Sequence, residues 1–510
     1  MKAIDLIIIF GYLVGIVLFG AWFGRKQKTT ADYFLGDRSI PWWAVAFSIV
    51  ATETSTITFI SIPGIAFARG GNFGFLQLVF GYLLGRIVIS ILFIPSYFRG
   101  ELLTVYQLLD QRFGGKIKMV AASLFVVMRN IADGIRLLLT AIVLAAVYAA
   151  FQPAANAEMI IMASIVLIGA AMIIFTYFGG MEAVIWVEVV QLGIYIAGAI
   201  AAAVVLLNSI DGGLATANSV AAQYAKYSLF DFSLDHTKTF TFWSGLIGGC
   251  FLTMSTHGTD QYLVQRYLCT DHPRKATVAL LTSGAIVLAQ FIGFLFIGVL
   301  LFAFYHPFTD PAYATAASTA FPFTGGDRVF PDFITKFMPA GLSGLVVAAI
   351  FAAAMSSSLN SIAATAVNDL YKPFRPNRDD KHYLKVSHLL TLAWGVVQIG
   401  VALAVRNSSG SALSMALSIA SLINGPILGV FLVGAFLRRV SQPPALIGML
   451  VSIGVMLYVF FATKIAWTWY VFLGSLITFV AAWAASFAFS PGPQAIGPVG
   501  AMPLKRAEED

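Results

Sequence analysis

Val50-Ala51-Thr52-Glu53-Thr54-Ser55-Thr56-Ile57-Thr58-Phe59-Ile60-Ser61-Ile62-Pro63-Gly64 sets five consecutive polar side chains, Thr52 to Thr56, inside an apolar run covering residues 41–67. Roughly 20 apolar residues are enough to cross the hydrocarbon of a bilayer as a helix. At about 3.6 residues per turn, five polar residues in a row cannot share one helix face. The helix is therefore predicted either to meet polar neighbours here or to unwind and line a cavity. Back-bonding to helix carbonyls accounts for a lone Ser or Thr, but not for a run that contains Glu53. Polar groups at membrane depth usually mark function.

Twelve further stretches have spanning length: 4–23, 73–97, 119–150, 157–177, 182–207, 240–263, 276–304, 339–367, 384–405, 411–437, 443–463 and 466–489. The fold class predicted is an all-α polytopic membrane protein with about thirteen helices. Composition agrees, since 59% of the 510 residues are hydrophobic and 11% charged, against about 25% charged in soluble domains. Alternate connections divide the 31 Lys and Arg residues unequally. Twenty fall in one set, which includes the C-terminal Lys505 and Arg506, and eight in the other; Arg86, Arg129 and Arg136 lie inside spans. The positive-inside rule then places the N-terminus outside and the C-terminus in the cytoplasm of a cell inner (plasma) membrane protein. The same asymmetry explains the net charge of +7 without a nucleic-acid partner.

The start of the chain lacks a signal-peptide pattern, so the first apolar segment is expected to be retained. Cys250 and Cys269 suggest neither a metal cluster nor a disulfide framework. Gly114-Gly115-Lys116 runs into Ile117, so no nucleotide-binding loop is present, and His-Glu-x-x-His is absent. A primary pump and a metalloprotease are thereby excluded, and no enzyme is predicted. One transporter domain, 1–510, is expected. The connections 208–239 and 305–338 should carry short helices. A solute sensor on a transporter fold is the alternative from another class, and the short tail 490–510 weighs against it.

Two other spans are interrupted. In the ninth, Ala352-Ala353-Ala354-Met355 runs into Ser356-Ser357-Ser358-Leu359-Asn360-Ser361. Small residues permit close helix approach, while hydroxyls and freed carbonyls suit a hard monovalent cation. In the seventh, Thr253 to Gln261 is polar. There His257 is expected to be a hydrogen-bonded packing residue, with Asp260 and Arg266 as a structural or gating pair. Spans two and seven would open two five-helix units, 41–207 and 240–437, with 4–23 before them and 443–489 after. Interruptions at corresponding positions of two halves point to an inverted-repeat transporter with a midplane site.

Four segments carry a family resemblance. They are Asp32-Tyr33-Phe34-Leu35-Gly36, the run Gly179-Gly180 to Trp186, Glu188 and Gln191, Gly258-Thr259-Asp260-Gln261 with Val264-Gln265-Arg266, and the serine run of span nine. Together they resemble the sodium:solute symporter family over nearly the whole chain. Within it the chain looks most like bacterial sialic acid and carboxylate transporters. The resemblance implies a LeuT-type core of ten helices, no cofactor, and sodium as coupling ion and sole metal. It implies alternating-access uptake of a small polar organic solute, with sialic acid or another carboxylate favoured over a sugar or amino acid.

The implied sodium site uses the carbonyls of Ala51, Thr54 and Ala353 and the hydroxyls of Ser356 and Ser357. A second cation would use Ser358 and Glu188. Solute contacts carry over to Ser55, Thr58, Gln77 and Arg136, the arginine pairing with a carboxylate. The chain departs from the family where span nine is shorter by three residues, about 4.5 Å and 300° of helix. Glu188 stands for an aspartate, and Glu53 is an extra carboxylate with a gating or structural role. An ion pair of Arg136 with Asp133 or Glu53 is the competing reading of that arginine. Proton coupling through Glu53 or Glu188 is the competing mechanism. The expected partners are the solute, sodium and the lipid bilayer, with the oligomeric state open.

Overall fold

The computed structural model describes residues 2–24, 27–100, 102–152, 156–305, 323, 325–355, 358–406 and 412–490. Every regular element among them is helical. The principal helices are α1 (Ala3–Gly24), α2 (Trp42–Glu53), α3 (Thr56–Phe67), α4 (Leu76–Leu92), α5 (Gly115–Phe151) and α6 (Ala157–Ser209). They continue with α7 (Gly249–Gly258), α8 (Gln261–Leu268), α9 (Pro273–Tyr305), α10 (Leu342–Met355) and α11 (Leu359–Thr365). The last four are α12 (Asp380–Ala404), α13 (Ala412–Phe436), α14 (Gln442–Ala462) and α15 (Tyr470–Ala485).

The quoted polar run is where the second predicted span breaks. α2 and α3 meet at a bend of 57°. Span seven breaks between α7 and α8, and span nine between α10 and α11. Seven helices among the described residues are individually long and apolar enough to cross a membrane, or eight with the bent pair. Each predicted span has a helix, whole or interrupted, without this fixing how many cross. The short helices expected in the longer connections include Gly213–Gln223 and Val329–Lys336.

α6 runs for 53 residues, about 80 Å at 1.5 Å per residue, against roughly 30 Å of hydrocarbon. It turns at Gly180, whose φ of 61° and ψ of −166° are open to a residue without Cβ. The two limbs are the predicted spans 157–177 and 182–207. Gln27 donates to the Gly179 carbonyl at 2.6 Å and holds the corner. The short helix Thr30–Leu35 beside it buries Tyr33, whose hydroxyl donates to the Thr176 carbonyl at 2.9 Å.

α1 packs on α6 and α10. Its buried Asp5 accepts from the Gly341 and Gly344 amides at 2.6 and 3.0 Å and from Ser343 Oγ at 3.0 Å. A carboxylate there satisfies open amides and the positive end of the α10 dipole. α4 meets the segment leading into α7 almost backbone to backbone, since a Cβ on Gly81 would lie 2.2 Å from the Gly245 carbonyl. α3 is held by rings, with Phe59 stacked on Tyr195 at 4.9 Å and edge-on to Phe294 at 5.3 Å. α13, α14 and α15 pack on one another.

Candidate functional site

The polar run divides its side chains among different neighbours. Thr52 Oγ1 donates to the Ser48 carbonyl at 2.8 Å and to Glu188 Oε1 on α6 at 3.1 Å. Thr54 Oγ1 donates to the Val50 carbonyl at 2.7 Å and accepts from Gln290 of α9 at 2.6 Å. Glu53 Oε1 faces Arg86 Nη2 of α4 at 2.5 Å and His257 Nε2 of α7. Ser55 caps α3, and Thr58 Oγ1 donates to the Glu53 carbonyl at 2.8 Å. The break is thus satisfied by four separate helices as well as by its own turn.

Beside it lies a cavity of about 210 Å³, lined by Ser55, Thr58, Arg129, Arg136, His257, Tyr262, Phe291 and Asn424 among others. That is smaller than the roughly 300–1,000 Å³ of pockets for drug-sized ligands, so this conformation suits a compact solute. Arg136 Nη1 lies 3.2 Å from Asp133 Oδ1 on its own helix, and Asp133 Oδ2 accepts from Ser358 Oγ. Arg136 therefore both lines the cavity and pairs internally, with Asp133 and not with Glu53. Tyr262 is flanked by the guanidiniums of Arg129 and Arg266, each 4.6 Å from the ring centre.

Three expectations are corrected. Gln77 does not line this cavity. It accepts from the Asp231 amide at 3.0 Å and donates to the Gly74 and Phe240 carbonyls at 3.1 and 3.3 Å, fastening the 228–240 segment to the start of α4. Asp260 and Arg266 are not a pair. Asp260 holds Arg129 of α5, whereas Arg266 holds Glu188 at 2.5 Å. Asp260 is drawn away because it caps α8 through the Tyr262 amide, at 2.8 Å. Ser358 and Glu188 likewise turn to different partners, Asp133 and Arg266. His257 is hydrogen-bonded, as expected, to Tyr267 at 2.7 Å as well as to Glu53, and it also lines the cavity.

Ala51 is buried in the last turn of α2, Thr54 is its C-cap, and Ala353 lies in the last turn of α10. Helix C-termini leave carbonyls free of helical partners and carry partial negative charge, which suits a cation. Ser356 and Ser357 lie outside the described residues. α10 packs against α3, α5 and α6. Arg86 was visible in the sequence as a charge inside a span, but its partner was not, because Glu53 lies 33 residues away on another helix.

The family model described as "Sodium:solute symporter family" matches residues 33–452. The chain belongs to the sodium:solute symporter family. It is 32% identical over 487 residues to the sodium/sialic acid symporter NanT of Aliivibrio fischeri, covering 94% of this chain and 92% of that one. It is 30% identical over 505 residues to the sodium/sialic acid symporter SiaT of Proteus mirabilis, covering 96% of each. A solved substrate-bound, outward-open sodium-coupled sialic acid symporter superposes with a TM-score of 0.82 at 29% identity, over 97% of this chain and 99% of that one. A closed-state transporter of the nucleobase-cation-symport-1 family shares the fold at a TM-score of 0.57 and 12% identity, over 90% of this chain and 96% of its own. The fold is thus the LeuT type, and the protein is a multi-pass membrane symporter rather than an enzyme. Sodium is its coupling ion.

Proposed function

We propose that this symporter takes up a small organic acid, with sialic acid the favoured candidate, and that Arg136 receives the carboxylate. The observation that carries the reading is the cavity beside the α2–α3 break, with an arginine on its wall. A guanidinium binds a carboxylate through two parallel hydrogen bonds, an advantage that neither a sugar nor a neutral solute would use. The sialic acid symporters among its relatives support the same class. Ser55 and Thr58 are assigned to the solute. The carbonyls of Ala51, Thr54 and Ala353, with Ser356 and Ser357, are assigned to sodium.

On this reading sodium enters from outside, driven by its gradient and by about 2.3 kcal/mol per charge per 100 mV. Bound between the breaks at α2–α3 and α10–α11, it ties the two together and preorders the solute site. Solute binding then permits closure, and rocking of a four-helix bundle opens the site inward. The N-terminus lies outside and the C-terminus in the cytoplasm.

Thermal stabilisation of purified protein by sialic acids, monocarboxylates, sugars and amino acids, each with sodium or potassium, tests the reading. Sodium-dependent stabilisation by an acid, lost in Arg136→Ala, is expected. Stabilisation by a neutral sugar alone would refute the carboxylate assignment.

A further inference from the structure

Four carboxylates inside the helix bundle each face a guanidinium: Glu53 with Arg86, Asp133 with Arg136, Glu188 with Arg266 and Asp260 with Arg129. The Glu188 pair is the most enclosed. Arg266 Nη2 lies 2.5 Å from Oε1 and Nε lies 3.3 Å from Oε2, with side chains 1% and 0% exposed. Ser48 Oγ and Thr52 Oγ1 of α2 complete the surround of the same carboxylate. A carboxylate with two hydroxyls at its side is an oxygen set that a hard cation would take. Here a tethered guanidinium fills it, supplied by α8 from the other half of the chain.

We propose that Arg266 is a fixed cation standing in the place of a second sodium, so that one sodium moves per solute. An ionised carboxylate buried without a counter-charge is strongly unfavourable, and Arg266 removes the need for a mobile ion to supply it. The coupling sodium is left to neutral oxygens at the two breaks, a set weak enough to release it. One electrical consequence rests on the carboxylate reading above: a monoanionic solute carried with one sodium moves no net charge.

Sodium titration of the purified chain, read by radioactive sodium binding and by thermal stability, should give one ion per chain and a Hill coefficient of about 1. Two ions per chain would overturn the proposal. Arg266→Gln should admit a second, weaker sodium and raise the coefficient. Arg266→Lys, and the double variant Glu188→Gln with Arg266→Gln, should keep one. A folded Arg266→Gln that still binds a single ion would remove Arg266 from this role. If that variant does not fold, the wild-type count and the double variant decide.

In proteoliposomes with N-acetylneuraminate, a −100 mV potential should change accumulation by less than about twofold. One uncompensated charge would change it roughly 50-fold, the equivalent of about 2.3 kcal/mol. Potential-driven accumulation of this monoanion would mean that a further cation moves with it and would overturn the one-sodium count. One sodium bound per chain with no accumulation of N-acetylneuraminate would support the role of Arg266 and count against the carboxylate reading.

Discussion

The two interrupted pairs α2–α3 and α7–α8 hold corresponding places in the two halves of the chain, yet their polar groups are used differently. At the first, Ser55 and Thr58 knit a local turn and remain on a cavity wall. At the second, His257 and Tyr262 line the same cavity, while other side chains reach away to neighbouring segments. Gln261 accepts from the Val105 amide at 2.8 Å and donates to the Leu103 carbonyl at 3.0 Å. Gln265 donates to the Phe34 carbonyl and to Asn360, both at 2.6 Å, and Tyr97 donates to the Gly258 carbonyl. The first break is a hinge that faces the cavity with its own turn, and the second faces it too but is also a clamp on its neighbours. What a broken membrane helix offers to a cavity thus depends on which of its polar groups the protein has already used.

The largest effect is expected where the two breaks are joined. Glu188 receives Ser48 and Thr52 from α2 and Arg266 from α8. Glu188→Leu leaves Arg266 buried without its counter-charge, a loss of roughly 3–5 kcal/mol. Adding Arg266→Leu should recover most of it in detergent unfolding. A single variant as stable as wild type would mean that the breaks are not coupled through this pair.

Next comes the hinge. Arg136→Ala should weaken binding of an acid solute roughly 10- to 150-fold, the worth of a charged hydrogen bond of 1.5–3 kcal/mol, with sodium affinity within about threefold. Gln77→Leu should leave solute affinity within about twofold while loosening the 228–240 segment. Equal losses in both variants, measured by calorimetry, would return Gln77 to the solute site.

The clamp gives a smaller change. Gln261→Leu removes two hydrogen bonds, at about 1 kcal/mol each. It should speed maleimide labelling of the fully buried Cys269 several-fold in a Cys250→Ser background. Unchanged labelling would show that the 102–106 connection is held by other contacts.

The smallest effect lies outside the membrane, on the segment that Gln77 fastens. Hydrogen bonds from Ser233, with the Lys238 ammonium, lower Asp231 from 3.8 to about 2. A depressed carboxyl stabilises above its unfolded value, and that contribution is lost as pH falls from about 3.8 through about 2. Hydrogen exchange across 228–240 should rise in that window, and Asp231→Asn should abolish the rise.

The spans and their interruptions were legible because apolar length and polar intrusion are local properties of the sequence. Arg136, Ser55 and Thr58 stood out by their positions in the family pattern, and all three line the cavity. Pairing was not legible. Asp260 and Arg266 are neighbours in sequence, yet a helix cap turned Asp260 towards Arg129, and Glu188 drew Arg266 from 78 residues away. Gln77 carries the same amide whether it meets a solute or the backbone of the 228–240 segment. Only the fold decides between them.

Asp5 and its partner Gly341 lie 336 residues apart in the chain. At about 5–20 residues per second, the ribosome needs roughly 20 to 70 s between making one and the other. α1 thus holds its anchor unused until the second half of the chain arrives. A substitution or fusion that disturbs Asp5 should be felt less in α1 than at the start of α10, the helix leading to the serines proposed for sodium. The order of synthesis thus ties the anchoring of α1 to the arrival of α10.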